Sequence, residues 1–193
     1  MTDRLVSALE DHARVVAAIQ RTLLPEIQDA ARRLVACFRA GGKLLAMGNG
    51  GSAADAQHLV AEMVGRYRRE RRPIPAIALT VDPSITTAVS NDYGFDEVFA
   101  RQVRAHARAG DVVLGISTSG NSENVVRGLR AARELGATTL LLAGATGGRL
   151  RELADCALLV PSTETPRIQE GHVTIIHLLC DLVDDAIGGD DPR

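Results

Sequence analysis

Four side chains in two stretches have the types and spacing to do chemistry: His58 and Glu62 in GGSAADAQHLVAE, and Gln169 and His177 in RIQEGHVTIIHLL. On a helix, residues four apart stand about 40° from each other around the axis, so His58 and Glu62 can reach one point. Gln169 and His177, eight apart, share a helix side at about 80° and lie about 12 Å apart along the axis. They meet at one ion only if the helix of His58 crosses the gap between them. Two imidazole nitrogens, a carboxylate oxygen and an amide oxygen suit a borderline cation such as Zn²⁺, although glutamine is an uncommon ligand. The plain alternative is a histidine packed in a core. His177 lies in an Ile/Leu-rich helical run, and His172 is a rival candidate beside it.

The first stretch begins in glycines. From Lys43 to Glu62, KLLAMGNGGSAADAQHLVAE, an apolar strand passes through Gly48, Asn49, Gly50 and Gly51 into a helix. Such a start presents unpaired N–H groups and the positive end of the helix dipole, which together make an anion site. Ser52 with Asp55 reads as a capping-box-like start. Gly48-x-Gly50-x-x-Ala53 also satisfies the dinucleotide fingerprint, with Asp82 placed to pose as the ribose acid, so a nicotinamide or flavin enzyme is a competing reading. Glycines that only permit a tight turn are the plainest one.

A second loop, GISTSGNS from Gly115 to Ser122, carries four hydroxyls, those of Ser117, Thr118, Ser119 and Ser122, ahead of another helix. Hydroxyls and backbone amides at a helix N-terminus can wrap a phosphate dianion without any lysine. A dinucleotide fold has no need of this second nest, and a Ser/Thr-rich helix cap is the bland alternative. Asn91-Asp92-Tyr93-Gly94 follows the second strand, on the side where an open α/β fold places ligands. A turn between two helices explains it equally. The run RYRRERR, Arg66 to Arg72, reads as a solvated helix end, or as support for an anionic substrate across a subunit boundary.

These residues need a frame to position them. Apolar residues recur at helical spacing from Asp3 to Leu23; Pro25 interrupts, and a second pattern runs through Ile27, Ala30, Leu34, Val35 and Phe38 to Gly41-Gly42. This helical hairpin has apolar faces to bury and is a plausible oligomerisation element. Apolar strands are then expected at Lys43 to Met47, Ala76 to Thr80, Val112 to Ser117, Thr138 to Ala143 and Ala157 to Val160. Helices are expected at Ser52 to Val64, at Ser84 to Ser90 with Phe95 to Ala107, at Ser122 to Leu135, and briefly near Arg149 to Leu153. Strands apolar throughout and alternating with helices argue for an α/β, doubly wound parallel sheet of five strands. A last helix starts at Thr165-Pro166, as N-cap and first position, and runs to Ile187 before Gly188-Gly189, with a frayed tail. One domain over residues 1–193 is expected, with the hairpin at 1–40 and the α/β core and final helix at 43–187.

Composition narrows the function classes. The 193 residues are 46% hydrophobic, enough for a substantial core, and carry a net charge of -2 with 3% aromatics and no Trp. That gives neither the basic face nor the stacking rings of a nucleic-acid binder. Cys37, Cys156 and Cys180 are odd in number and without a C-x-x-C pair, so they read as reduced core thiols. No signal-type or membrane-spanning run is present, and a cytoplasmic protein is expected.

Taken in order, GNGGSAADAQH, GRYR, NDYGF, GISTSGNS and RIQEGHVTIIH resemble the phosphoheptose isomerases, sedoheptulose 7-phosphate isomerases of the sugar isomerase (SIS) fold, from the N-terminal helices to about Asp185. The resemblance implies a homotetramer with active sites at subunit interfaces and one Zn²⁺ per subunit held by His58, Glu62, Gln169 and His177. It implies substrate contacts from Asn49, Gly50, Gly51, Glu62, Asn91, Asp92, Ser117, Thr118, Ser119, Ser122 and Gln169. The implied reaction turns sedoheptulose 7-phosphate into D-glycero-D-manno-heptose 7-phosphate through an enediol, as the first step of nucleotide-activated heptose biosynthesis. Glu62 would draw the C1 proton, with His177 serving the other transfer. Zinc would polarise O1 and O2, and Glu62 would act through its second oxygen or after leaving the ion. A related SIS tetramer, the replication initiator-associating type, binds protein instead of catalysing; it is expected to lack the side chains at Glu62 and His177 that are present here.

Overall fold

Five strands pair in the order β2-β1-β3-β4-β5, all parallel, in a computed structural model that describes residues 2–188. They are β1 (Leu44–Gly48), β2 (Ala76–Ala78), β3 (Val112–Ser117), β4 (Thr138–Gly144) and β5 (Cys156–Val160). Side chains alternate between faces along a strand, and here both faces are covered. Leu44, Ala46, Val112, Leu114, Ile116, Leu140, Leu142 and Leu158 pack with α1 (Thr2–Thr22), α2 (Leu24–Arg39), α3 (Gly51–Val64) and α7 (Thr165–Ile187). Leu45, Met47, Val113, Leu141 and Ala143 pack with α5 (Val98–His106) and α6 (Glu123–Glu134). That double burial is why β1 and β3 read as unbroken apolar runs. Each fully buried Leu or Ile stabilises by about 1.5–3 kcal/mol, so Leu and Ile carry what large aromatic rings do in other cores.

Several expected boundaries move, each for a local reason. The second strand stops at Ala78 instead of Thr80, where the chain turns towards α4 (Pro83–Tyr93). That helix runs longer than Ser84 to Ser90 because Asp82 caps it, its carboxylate accepting the Ile85 N–H at 2.9 Å. Asn91, Asp92 and Tyr93 therefore form its last turn instead of a turn between two helices. The final helix begins at Thr165 with Glu164 as its cap, one residue earlier than Thr165-Pro166 suggests. It ends at Ile187 as expected, and the tail from Gly189 onward lies outside the described residues.

Helix α1 runs over the start of α7, where His12 Nδ1 meets Glu170 Oε2 at 2.8 Å and Arg167 donates to the Ala8 carbonyl. Only Ile19 of α1 is buried, and Leu5, Val6 and Leu9 stand exposed. The three cysteines are buried and free. Burial, the dominant cause, pushes the Cys37 and Cys156 thiols up to about 11 and the Cys180 thiol up to about 12, as expected for inert core thiols. No helix among the described residues is long and apolar enough to cross a membrane.

Candidate active site

The strand order reverses between β1 and β3, and both chemistry-bearing loops leave the sheet at the carboxyl ends of these two strands. Crevices at such a switch point are where open α/β sheets bind ligands. The loops are tied together by a reciprocal amide pair: Asn49 Nδ2 donates to Asn124 Oδ1 and Asn124 Nδ2 to Asn49 Oδ1, both at 2.9 Å. Asn124 is buried in the first turn of α6, and the sequence reading missed it because a single Asn after a Ser-rich loop has no spacing signature.

In the first loop, Gly50 caps α3 with a φ of 55°, a conformation glycine tolerates best, and Gly51 opens the helix. The helix therefore begins one residue before Ser52, and no side chain caps it; the expected Ser52–Asp55 capping box does not form. Asp55 is instead buried, its Oδ2 3.8 Å from Nδ1 of the fully buried His172. His172, the rival ligand candidate, is thus the core histidine of the two on α7. The dinucleotide reading loses its ribose acid, since Asp82 is the cap of α4. The position where a pyrophosphate would approach Gly51 is filled: a Cβ there would lie 2.2 Å from Gln169 Nε2.

The second loop is braced at both ends. Ser117 Oγ and Ser122 Oγ are 3.0 Å apart, Asn121 N–H donates to Ser119 Oγ, and Asn121 Oδ1 accepts the Arg149 N–H at 3.0 Å. Gly120, at φ 67°, lets the backbone pass against Gly147. The first backbone hydrogen bond of α6 runs from Val126 N–H to Ser122 C=O and the Val125 N–H donates to Asn124 Oδ1, which leaves the Glu123 and Asn124 amides at the helix end that follows the Ser117, Thr118, Ser119 and Ser122 hydroxyls. This is a cradle that can take a dianion through neutral donors.

The third component is formed by α3 and α7, which pack side by side. His58 Nε2 lies 3.4 Å from His177 Nε2, with the rings edge to face at a centroid separation of 5.0 Å, and 3.3 Å from Glu62 Oε1. All three side chains are half-buried. Ligands about 2.0–2.1 Å from a tetrahedral Zn²⁺ stand about 3.3–3.4 Å from one another, so both pairs have the spacing such an ion requires. Among the described residues no three His, Cys, Asp or Glu side chains are gathered as a ready-made metal cluster. Two close pairs share His58 instead, with Gln169 seated against Gly51 about two turns earlier on α3. Glu62 and His177 are thus brought to one place. Asn91 and Asp92 are not: they lie exposed on α4, bonded to each other at 2.8 Å, and neither lines the cavity of about 150 Å³ between Asn49, Gly50, Thr86 and Phe95.

The arginine run is corrected most. Residues 66–72 are not a helix end, and Arg71 is buried. Tyr67, in the same run, stacks on the His177 ring at 5.4 Å and 26°.

The comparisons with known proteins agree with this geometry. The SIS domain profile matches residues 9–144. The phosphoheptose isomerase of Geobacter sp. (strain M21) is 59% identical over 95% of this chain and 96% of its own length. Two solved phosphoheptose isomerases superpose closely. The one from Neisseria gonorrhoeae has a TM-score of 0.91 at 44% identity, covering 95% of this chain and 98% of that one. The one from Francisella tularensis has a TM-score of 0.92 at 40% identity, with the same coverage. This chain belongs to the phosphoheptose isomerase family of SIS-domain proteins.

Proposed function

We propose that this protein is a sugar-phosphate isomerase that converts sedoheptulose 7-phosphate to D-glycero-D-manno-heptose 7-phosphate, the first step of nucleotide-activated heptose biosynthesis. The observation that carries the reading is the pair of close contacts at His58, Glu62 Oε1 at 3.3 Å and His177 Nε2 at 3.4 Å, in a chain that also carries the Ser117–Ser122 cradle. A phosphate nest alone would serve any phosphosugar binder. A carboxylate and an imidazole grouped around His58 supply a base and an acid.

The phosphate is held by the hydroxyls of Ser117, Thr118, Ser119 and Ser122 and by the amides at the start of α6. The sugar lies along Asn49, Gly50 and Gly51. Glu62 takes the C1 proton, the C–H pair becomes the C1=C2 double bond, and O2 receives a proton from His177, giving the enediol. Loss of the O1 proton and return of a proton to C2 leave the aldehyde at C1, so the atoms balance without an oxidant. His58, Glu62, Gln169 and His177 are the residues that would hold Zn²⁺, whose Lewis acidity favours enediolate character at O1 and O2. The exposed Leu5, Val6 and Leu9 on α1 support a homotetramer in which Asn91 and Asp92 reach a site completed by a neighbouring subunit, acting in the cytoplasm.

The test is NMR of the purified protein with sedoheptulose 7-phosphate, before and after chelator and with zinc restored. Aldose signals should grow with the metal present. No aldose with zinc restored refutes the reading. Glu62→Gln and His177→Ala should each remove turnover while leaving the fold intact, and retained activity in either removes that residue from the mechanism. The binding-protein reading of the SIS tetramer predicts instead a folded protein with no isomerisation in any of these samples.

A further inference from the structure

The segment between α3 and β2 has no regular secondary structure, yet it contains a buried ion pair. Arg71 and Asp184 have side chains only 1% and 2% exposed. Arg71 Nε donates to Asp184 Oδ1 at 2.6 Å, one terminal nitrogen donates to the Met63 and Arg72 carbonyls at 2.9 and 3.1 Å, and the other donates to the Glu62 carbonyl at 2.7 Å. Asp184 Oδ2 accepts the Arg68 and Arg69 N–H groups at 2.9 and 3.1 Å. A buried pair usually gains little over a well-packed apolar substitute. An arginine can do here what an apolar residue cannot. Its planar fork caps the Glu62 carbonyl and shares the Met63 carbonyl with the Ile74 N–H, both in the last turn of α3, while gripping a carboxylate on α7.

The places joined in this way are significant. One of the capped carbonyls belongs to Glu62 itself. Asp184 follows His177 by seven residues, two turns along the same side of α7. The Arg68 and Arg69 amides that Asp184 binds fix the loop that lays Tyr67 against the His177 ring. Resting on the isomerase roles given above to Glu62 and His177, we infer that Arg71 and Asp184 are positioning residues: the pair sets the base on α3 and the imidazole on α7 relative to each other, through the Glu62 backbone on one side and the Tyr67 stack on the other.

Arg71→Lys keeps the charge and loses the fork; Asp184→Asn keeps the shape and loses an acceptor. A shift of about 1 Å in a catalytic group costs on the order of a hundredfold in rate, so both variants should lose about tenfold to a hundredfold in kcat per folded enzyme with KM changed less than about threefold. Asp111→Asn is the control: it disrupts another buried, multiply bonded aspartate, one that bonds Lys43 and Arg108 instead of α3 or α7, and should lower the Tm with kcat unchanged. Long-range ¹H–¹⁵N spectra of the metal-free protein give a readout independent of turnover. The His58 and His177 ring signals should move in both variants while those of His12 and His106 stay. Should a variant fail to fold, Tyr67→Leu removes the stack alone and should lower kcat, while Tyr67→Phe, which keeps the ring, should not. Folded variants with kcat within about twofold of wild type and unchanged ring signals overturn the inference, as does a raised KM at unchanged kcat. If the wild-type protein makes no aldose, the isomerase reading is what fails, and the ring signals still judge the positioning.

Discussion

Gly51 offers a perturbation that separates folding from chemistry. It is the first residue of α3, its φ lies outside the left-handed region, and alanine there is compatible with a helix start. The backbone therefore has no objection to a methyl group. The three nearest atoms to a Cβ at this position all belong to Gln169: Nε2 at 2.2 Å, Cδ at 2.9 Å and Oε1 at 3.2 Å. Restoring ordinary contact requires the amide end to retreat by roughly 1 Å, which a flexible side chain does at little cost to stability. A displacement of that size at a group that holds substrate or metal is worth on the order of a hundredfold in rate, or about 2.7 kcal/mol at 1.36 kcal/mol per factor of ten. Gly51→Ala should thus leave the Tm within about 2 °C of wild type and reduce kcat/KM by about two orders of magnitude, measured by NMR of the ketose-to-aldose conversion. Because the Gly51 backbone is itself a proposed sugar contact, the cycle with Gln169→Ala decides the route. If the loss passes through Gln169, the double variant is no worse than Gln169→Ala alone. Additive losses, or a Gly51→Ala enzyme as fast as wild type, would refute the claim that the Gly51–Gln169 contact places a working group.

Three further outcomes are expected. Gly120→Ala places a Cβ 2.0 Å from the Gly147 carbonyl oxygen at a φ of 67°, so backbone must move; a loss of about 2–4 kcal/mol in urea unfolding and weaker binding of inorganic phosphate should follow. Asn124→Ala breaks both bonds between the loops, and should cost about 1–2 kcal/mol and raise KM more than it lowers kcat, since Asn49 is released without touching Glu62 or His177. Asp111 titrates low in the folded state: burial would push its carboxyl up, but the Lys43 ammonium at 2.6 Å and the Lys43 and Arg108 amides outweigh it. A depressed folded pKa gives stability that is present above the unfolded value of about 3.9 and lost as pH falls through the folded one, so the stability gap between wild type and Asp111→Asn should narrow below about pH 4. A gap that stays constant from pH 7 to pH 3 would contradict this.

The sheet was legible because burial on both faces leaves a plain record, runs such as Leu44 to Met47 and Val112 to Ile116 with no polar alternation. The pair His58 and Glu62 was legible because four residues on a helix is a rigid spacing. Its meeting with His177 was only conditionally legible, since it depends on α3 and α7 packing side by side, a tertiary fact. The arginine run was misread for a related reason. Charged runs are usually solvated, and nothing in RYRRERR marks the fourth arginine as the one whose guanidinium turns inward to an aspartate 113 positions later. Asn91 and Asp92 were legible as motif residues, yet within one chain they face solvent at the end of α4. In the proposed homotetramer a neighbouring subunit would decide what they touch, and the chain's local pattern does not encode that.

The arrangement also explains why two Gly- or Ser-rich loops are needed where a dinucleotide site uses one. The hydroxyl cradle is carried by α6, which packs on one face of the sheet, while His58, Glu62, Gln169 and His177 are carried by α3 and α7 on the other. The Asn49–Asn124 pair ties the starts of α3 and α6 together at the carboxyl edge, above β1 and β3, while Glu62 lies about three turns further along α3. In the proposed reaction the substrate joins these two places, with its anionic end in a hydroxyl cradle and its reacting carbons beside Glu62. Phosphate binding energy gained at one end can then hold the other end in reach of the base, which lowers the entropic part of the barrier without either loop taking part in proton transfer. Removing the anion should therefore hurt kcat as well as KM. Sedoheptulose lacking its phosphate, supplied with inorganic phosphate to refill the cradle, should turn over far more slowly than the intact ester even at saturation. Equal saturated rates for the two would mean that the Ser117–Ser122 loop only captures substrate and that Glu62 and His177 need no help in finding C1 and C2.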